Sequence, residues 1–245
     1  MSKQFSSVWT RPTRRPKAAG LSREQIVAAA IELLDAEGLA ALSMRKLGAR
    51  LDAGATSLYW HVATKDDLLE LALDEFWGTL ELGDPTVPWR EFVTAFAHEL
   101  RRGLVAHPWA ASLVGQLPSM GPKALRLTDR LHRAFMAAGF TGTDVALASG
   151  TVLCFVLGQV IPELAWTRMG ADQRTHDQLV EQVLDLAADY PEMVAEYRAS
   201  PKIPLAAARE VAFDFGLVCA LDGLAARLRR PGGVDGERVR AATEG

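Results

Sequence analysis

Cysteine is scarce in this chain of 245 residues: only Cys154 and Cys219 occur, each inside an apolar stretch with no second ligand-type side chain at metal spacing. That scarcity argues against a disulfide framework and a zinc site, so no metal and no cofactor are expected, and the expected setting is the reducing cytoplasm. Long hydrophobic runs are lacking too. The longest, residues 145–161, covers 17 positions, contains Ser149, Thr151 and Gln159, and ends at Pro162-Glu163. A membrane span takes about 20 apolar residues, so a buried helix is expected here and no membrane partner. The first twenty residues have no apolar core of the kind a secretory leader needs. Catalytic signatures are also missing. There is no Gly-x-Ser-x-Gly elbow, phosphate-binding loop or His-Glu-x-x-His, so the chain is not expected to be an enzyme.

Net charge is small, at −3, but unevenly spread. Residues 1–65 hold ten Lys and Arg against five Asp and Glu, a net +5, whereas the remainder holds seventeen against twenty-five, a net −8. A basic head on an acidic body is the charge pattern of a protein that brings only its head to phosphate.

What is present in quantity is helical punctuation. Ser22 with Gln25 three residues on forms a capping-box pattern, and Ile26, Val27, Ala30, Ile31, Leu33 and Leu34 recur at helical spacing until Gly38. Ser43 caps a second, short helix in which Leu47 and Leu51 alternate with Arg45, Lys46 and Arg50. Asp52-Ala53-Gly54 interrupts it, and a third short helix is expected from about Ala55 to His61. Thr64 caps a fourth, with Asp66 and Asp67 in the first turn, where the helix dipole favours negative charge. Further helices are expected over residues 89–106, 108–117, 122–138, 143–169, 172–188 and 204–230, and no strand-like alternation of any length appears. The fold class expected is all-α: an N-terminal three-helix helix-turn-helix DNA-binding domain plus a larger helical ligand-binding and dimerisation domain. The segments are a flexible basic arm at 1–20, the head at 21–66, the body at 67–231 and a frayed tail at 232–245.

From Leu42 to Leu69 the chain reads LSMRKLGARLDAGATSLYWHVATKDDLL. A helix that enters the major groove needs side chains short enough for close approach, with a few hydroxyl, amide or cationic groups to reach base edges and phosphates. Ala55, Thr56, Ser57, Tyr59, His61 and Lys65 are that mixture, while Leu47, Leu51, Leu58 and Val62 would lock the two short helices together and Trp60 is assigned to the core. In this stretch the chain resembles the tetracycline-repressor (TetR) family of regulators, specifically over residues 21–76 and, over the body, through the number and placement of helices. The resemblance implies that Ala55, Thr56 and Ser57 open the recognition helix, that Tyr59, His61 and Lys65 contact phosphates, and that Arg45 reaches DNA from the second helix. Gly54 and Ala55 depart from the polar residues often found there in relatives, which leaves base readout to Arg45, Thr56 and Ser57. Arg11, Arg14 and Arg15 fit either a minor-groove arm or a solubilising tail.

One short helix reads few bases, and such heads gain affinity as two-fold dimers on half-sites about 34–36 Å apart. Residues 145–161 and 211–228 carry more apolar positions than one helical face needs, and the resemblance implies that they form a homodimer interface; internal core is the alternative. Phe96, Trp109, Leu117, Leu131, Phe135, Phe155, Gln159 and Trp166 are candidates to line an apolar cavity for an effector, each also compatible with ordinary core. His107 and His132 are candidate polar contacts. Where tetracycline-binding members of the family hold drug and metal with polar groups, around Phe96, Leu100, Gly115, Gln116 and Ser119, this chain is mainly apolar or small, so the resemblance does not extend to metal-tetracycline recognition. The expected function is a ligand-responsive transcriptional regulator, a repressor released from a palindromic double-stranded DNA operator by a small hydrophobic effector. The alternatives are a ligand-independent regulator or an activator and, from a different class, a small-molecule-binding, enzyme-like helical protein.

Overall fold

The structure, a computed structural model, describes residues 7–11, 21–84, 86–170 and 172–229. Over these residues the chain is helical, with one isolated bridge between Val114 and Leu117 and no other β pairing. The α-helices are α1 Arg23–Glu37, α2 Met44–Arg50, α3 Ala55–Tyr59, α4 Lys65–Thr79, α5 Trp89–Ala106, α6 Pro108–Leu113, α7 Pro122–Ala137, α8 Thr143–Arg168, α9 Gln173–Leu186, α10 Pro191–Ala199 and α11 Leu205–Leu228. By backbone packing the described chain divides into two compact units whose boundary falls inside α8, between Gly150 and Thr151.

The local signals act where they stand. Ser22 accepts the Gln25 N–H at 3.2 Å while Gln25 accepts the Ser22 N–H at 2.8 Å, a complete capping box. Ser43 accepts the Lys46 N–H and Thr64 the Asp67 N–H, starting α2 and α4. Gly38, at φ +79°, ends α1 in a conformation that a side chain rarely adopts.

In the first unit α4 is the central element, packing against α1, α6 and α7, while α5 packs on α6 and α7. Its core includes Ile26, Leu33, Leu34, Leu47, Leu58, Leu68, Leu73, Phe76, Phe92, Leu100 and Phe135, all fully buried. Each contributes about 1.5–3 kcal/mol by leaving water. Phe76 of α4 meets Trp77, His107 and Trp109 edge-on at ring distances of 5.2, 6.1 and 6.3 Å. That arrangement suits the ring quadrupoles.

In the second unit, α8 buries Val152, Val156, Val160 and Leu164, four apart and therefore on one face. α11 buries Phe213, Leu217 and Leu221 at the same spacing. Phe155 packs on Phe213 at 5.3 Å and presses on Gly216, where a Cβ would stand 2.6 Å from its ring. By length and composition α8 is apolar enough to cross a membrane. The buried helix expected over residues 145–161 is met only on one stripe: its other face, with Leu147 and Ile161, is exposed in the single chain.

Other sequence expectations also differ from the structure, and the helix expected over 108–117 ends at Leu113. Trp60, assigned to the core, is 71% exposed: Leu58 and Val62, four apart, take the buried face, and position 60 lies between them on the opposite side. α10 was not expected, because it buries no residue and so shows no apolar stripe. Residues 7–11, expected within a flexible arm, form a 3-10 turn at Val8–Thr10 that packs on α4. Arg14 and Arg15 and the tail at 232–245 lie outside the described residues.

Candidate functional site

The helix-turn-helix is built from α2, the turn at 51–54 and α3. Leu47 of α2 and Leu58 of α3 are fully buried and Val62 nearly so, which fixes one helix against the other. Asp52 takes the left-handed conformation, φ +49°, that lets the chain reverse; aspartate tolerates it better than most residues. The Ala53 N–H then donates to the Gly48 carbonyl at 2.9 Å, closing the turn.

This hairpin leaves Arg45, Thr56 and Ser57 exposed and Tyr59 48% exposed, with Ala55, His61 and Lys65 half-buried. All seven candidate DNA contacts therefore lie on α2, on α3, or between α3 and the first residue of α4. The basic charge of the head is thinned by pairing: Lys46 is held by Glu37, and Arg50 by Glu32 at 2.7 Å. Arg45 makes no ion pair among the described residues, so its guanidinium is available to an outside anion. Trp60 adds an exposed aromatic face beside Tyr59, which sequence reasoning missed. Its signal was the four-residue spacing of Leu58 and Val62 around it.

Of the eight candidate ligand contacts, five lie in the first unit. Phe96, Trp109, Leu131 and Phe135 are buried and Leu117 half-buried. Phe135 packs on Trp89 and Phe140 at 5.9 and 5.3 Å. The Trp109 indole N–H donates to the Asp35 carboxylate at 2.6 Å. The same carboxylate meets the His107 ring nitrogen at 2.7 Å. Ser119 accepts the Trp77 indole N–H at 3.1 Å, so this position is occupied by a structural bond. The other three candidates lie in the second unit: Phe155 against Phe213, Gln159 exposed, and Trp166 tilted against His176 at 5.7 Å.

The second unit also holds a groove of about 600 Å³ between α9, α10, the segment 200–204 and the start of α11. Val180, Leu184 and Leu205 give it apolar walls, and His176, Tyr197 and Lys202 give it polar ones. None of the eight candidate residues lines it. Asp172 starts α9 beside it by accepting the backbone N–H and the hydroxyl of Thr175, both at 2.8 Å. These bonds, the backbone one first, hold its carboxyl below the usual aspartate range.

Comparison with known proteins matches two stretches of the chain, with a join between residues 72 and 82 that differs from the packing boundary inside α8. Residues 26–72 match the family described as bacterial regulatory proteins, tetR family, and residues 82–228 match the tetracyclin repressor-like C-terminal domain. An HTH-type transcriptional regulator of Saccharopolyspora erythraea is 44% identical over 195 residues, covering 79% of this chain and 82% of its own. The HTH-type transcriptional repressor DrrR1 of Streptomyces coeruleorubidus is 32% identical over 228 residues, covering 87% and 80%. Among solved structures, Streptomyces coelicolor ActR in complex with (S)-DNPA is similar, with a TM-score of 0.70, 29% identity, and coverage of 85% of this chain and 98% of that one. BioQ with its double-stranded DNA operator is similar with a TM-score of 0.54 and 34% identity, covering 62% and 93%.

Proposed function

Because the chain belongs to the tetR family of bacterial regulatory proteins, we propose that it is a repressor which a hydrophobic small molecule releases from a palindromic operator. The observation that carries this reading is the exposed set Arg45, Thr56, Ser57 and Tyr59 on a hairpin whose two helices are locked by Leu47 and Leu58. Arg45, Thr56 and Ser57 would read base edges; Tyr59, His61 and Lys65 would bond phosphates.

A homodimer is part of the proposal. α11 exposes Val211, Phe215 and Val218, one stripe at helical spacing, with Phe215 73% exposed. A second copy covering that stripe would bury it and set two heads on two half-sites. The acting compartment would then be the cytoplasm, where the DNA is.

An effector site in the body is supported by two observations. The groove beside α9 falls in the size range of small-molecule sites, about 300–1,000 Å³, and ActR, which is similar over most of its length, has been solved with (S)-DNPA and with actinorhodin. A ligand that binds better when the two heads are spread must weaken DNA binding by the same free energy. α4 is the natural lever. It packs on α1 of the head and on α6 and α7, and its buried Asp74 accepts the N–H groups of Lys123 and Ala124 at the N-terminus of α7.

The test is a fluorescence-anisotropy titration of the full chain against duplex from the DNA flanking its own gene and against a scrambled duplex, at two salt concentrations. Tight, selective binding with a steep salt slope is expected. Equally weak binding to both duplexes would overturn the reading. A screen of apolar aromatic compounds for release of the bound duplex then tests the effector.

A further inference from the structure

Helix α4 carries three buried carboxylates on one face, at positions 67, 70 and 74, and each is committed to a partner. Asp74 holds the start of α7. The other two hold the N-terminal segment. Glu70, 5% exposed, accepts the hydroxyl of Ser7 and, at 3.1 Å, the backbone N–H of Val8. Asp67, 3% exposed, forms an ion pair with Arg11. Ser7 itself is fully buried.

The segment is also closed on itself. The Ser7 hydroxyl oxygen accepts the Trp9 N–H at 3.2 Å, and the Ser7 carbonyl accepts the Thr10 hydroxyl and the Arg11 Nε–H, each at 3.2 Å. A five-residue turn with this much internal bonding presents its donors as a unit. Two carboxylates desolvated on one helical face are costly unless charge-assisted bonds answer them, and here the turn answers both.

We infer that Ser7–Arg11 is an intramolecular latch that fixes the first turns of α4, and that Ser7, Arg11, Asp67 and Glu70 are positioning residues for DNA binding. The inference rests on the assignment of His61 and Lys65 as phosphate contacts. Lys65 is the first residue of α4, two positions before Asp67, and His61 stands three positions before the Thr64 cap. Whatever fixes Asp67 and Glu70 fixes the helix start that presents Lys65. Arg11 acts in this arrangement through Asp67 and not by contact with a groove.

Salt dependence separates the two roles. A phosphate contact that is lost lowers the salt slope of binding by about one, whereas a lost positioning bond weakens binding without releasing fewer counterions. The experiment uses the full chain and a duplex selected by the wild-type protein from a randomised pool. Affinity is measured at four salt concentrations for wild type, Arg11→Gln, Asp67→Asn and the double variant, with melting temperatures recorded in parallel. Arg11 lies at the surface end of the pair, so its substitution leaves the core intact. Arg11→Gln and Asp67→Asn are each expected to weaken binding about tenfold, with unchanged salt slope. The double variant should be no weaker than either single one, and Arg11→Lys should recover part of the loss. A slope lowered by about one in Arg11→Gln, with wild-type affinity in Asp67→Asn, would make Arg11 a DNA contact and overturn the latch. Wild-type affinity in both single variants would overturn it alone. Absence of selective binding by the wild-type protein would overturn the phosphate-contact assignment and the latch built on it.

Discussion

The carbonyl of Ala53 sits so close over Gly48 that a Cβ on the glycine would stand 2.6 Å from its oxygen and 3.3 Å from the Ala55 nitrogen. Gly48 is inside α2, and the contact atoms belong to the turn and to the first residue of α3. The absence of a side chain at one position therefore sets how closely the two helices of the DNA-binding hairpin approach.

Gly48→Ala consequently has a diagnostic sign. In a free helix the exchange would stabilise by about 0.8–1 kcal/mol. Here the added methyl must displace backbone, and overpacking of this kind costs about 1–3 kcal/mol. A lower melting temperature together with weaker DNA binding is expected. A melting temperature equal to or above that of wild type would contradict the close approach.

Arg45→Ala and Tyr59→Phe should weaken DNA binding while leaving the fold intact, because both side chains project from the hairpin. As the hydroxyl is assigned to a charged phosphate, its loss should remove about 1.5–3 kcal/mol. Anisotropy titrations with circular dichroism melts check both points. Wild-type affinity in both variants would remove these residues from the interface.

Asp35 of α1 serves two ring donors from the α5–α6 corner, the Trp109 indole at 2.6 Å and the His107 imidazole at 2.7 Å. Asp35→Ala leaves the Trp109 N–H buried without its acceptor, at a cost of about 1–3 kcal/mol. Adding Trp109→Phe removes the orphaned donor, so the double variant should lose less than the sum of the two single ones. Additive losses in urea unfolding would mean that the bond contributes nothing.

Phe215→Glu and Val218→Glu place charge on the exposed stripe of α11 and should give a folded monomer in sedimentation velocity, with helix content unchanged. A dimer of wild-type affinity in both variants would mean that the interface lies elsewhere.

The Asp172 cap of α9 gives a pH dependence of known sign. Its carboxyl is held below the usual range by the Thr175 backbone N–H first and the Thr175 hydroxyl second. The cap therefore stabilises α9 above the unfolded-state value and ceases to do so as pH falls through the lower folded-state value. Amide exchange at Thr175 should accelerate on acidification in the wild-type protein and be fast and pH-independent, once intrinsic exchange is allowed for, in Asp172→Ala. Equal protection in the two proteins at neutral pH would refute the cap.

Much of this was legible in the chain. The starts of α1, α2 and α4 were marked by Ser22, Ser43 and Thr64, since a cap is a bond between residues three apart, whereas the Asp172 cap of α9 was seen only in the structure. The hairpin was legible in Leu47, Leu58 and Val62, with the exposed set between and around them. Trp60 was misplaced because aromatic character outweighed helical position, and α10 was missed because a helix that buries nothing has no apolar period.

The sequence by itself determined the helices other than α10, the caps at Ser22, Ser43 and Thr64, and the basic, helix-turn-helix head, because each of these is settled by residues a few positions apart. Tertiary structure alone decided that Ser7 docks on Glu70, 63 residues away, that Trp109 answers to Asp35 across 74, and that a groove opens beside α9. The physical reason is that a long-range bond leaves no periodic trace. Its partners acquire meaning only when packing brings them together and takes at least one of them out of water, so that the bond answers a polar group that would otherwise be buried unpaired.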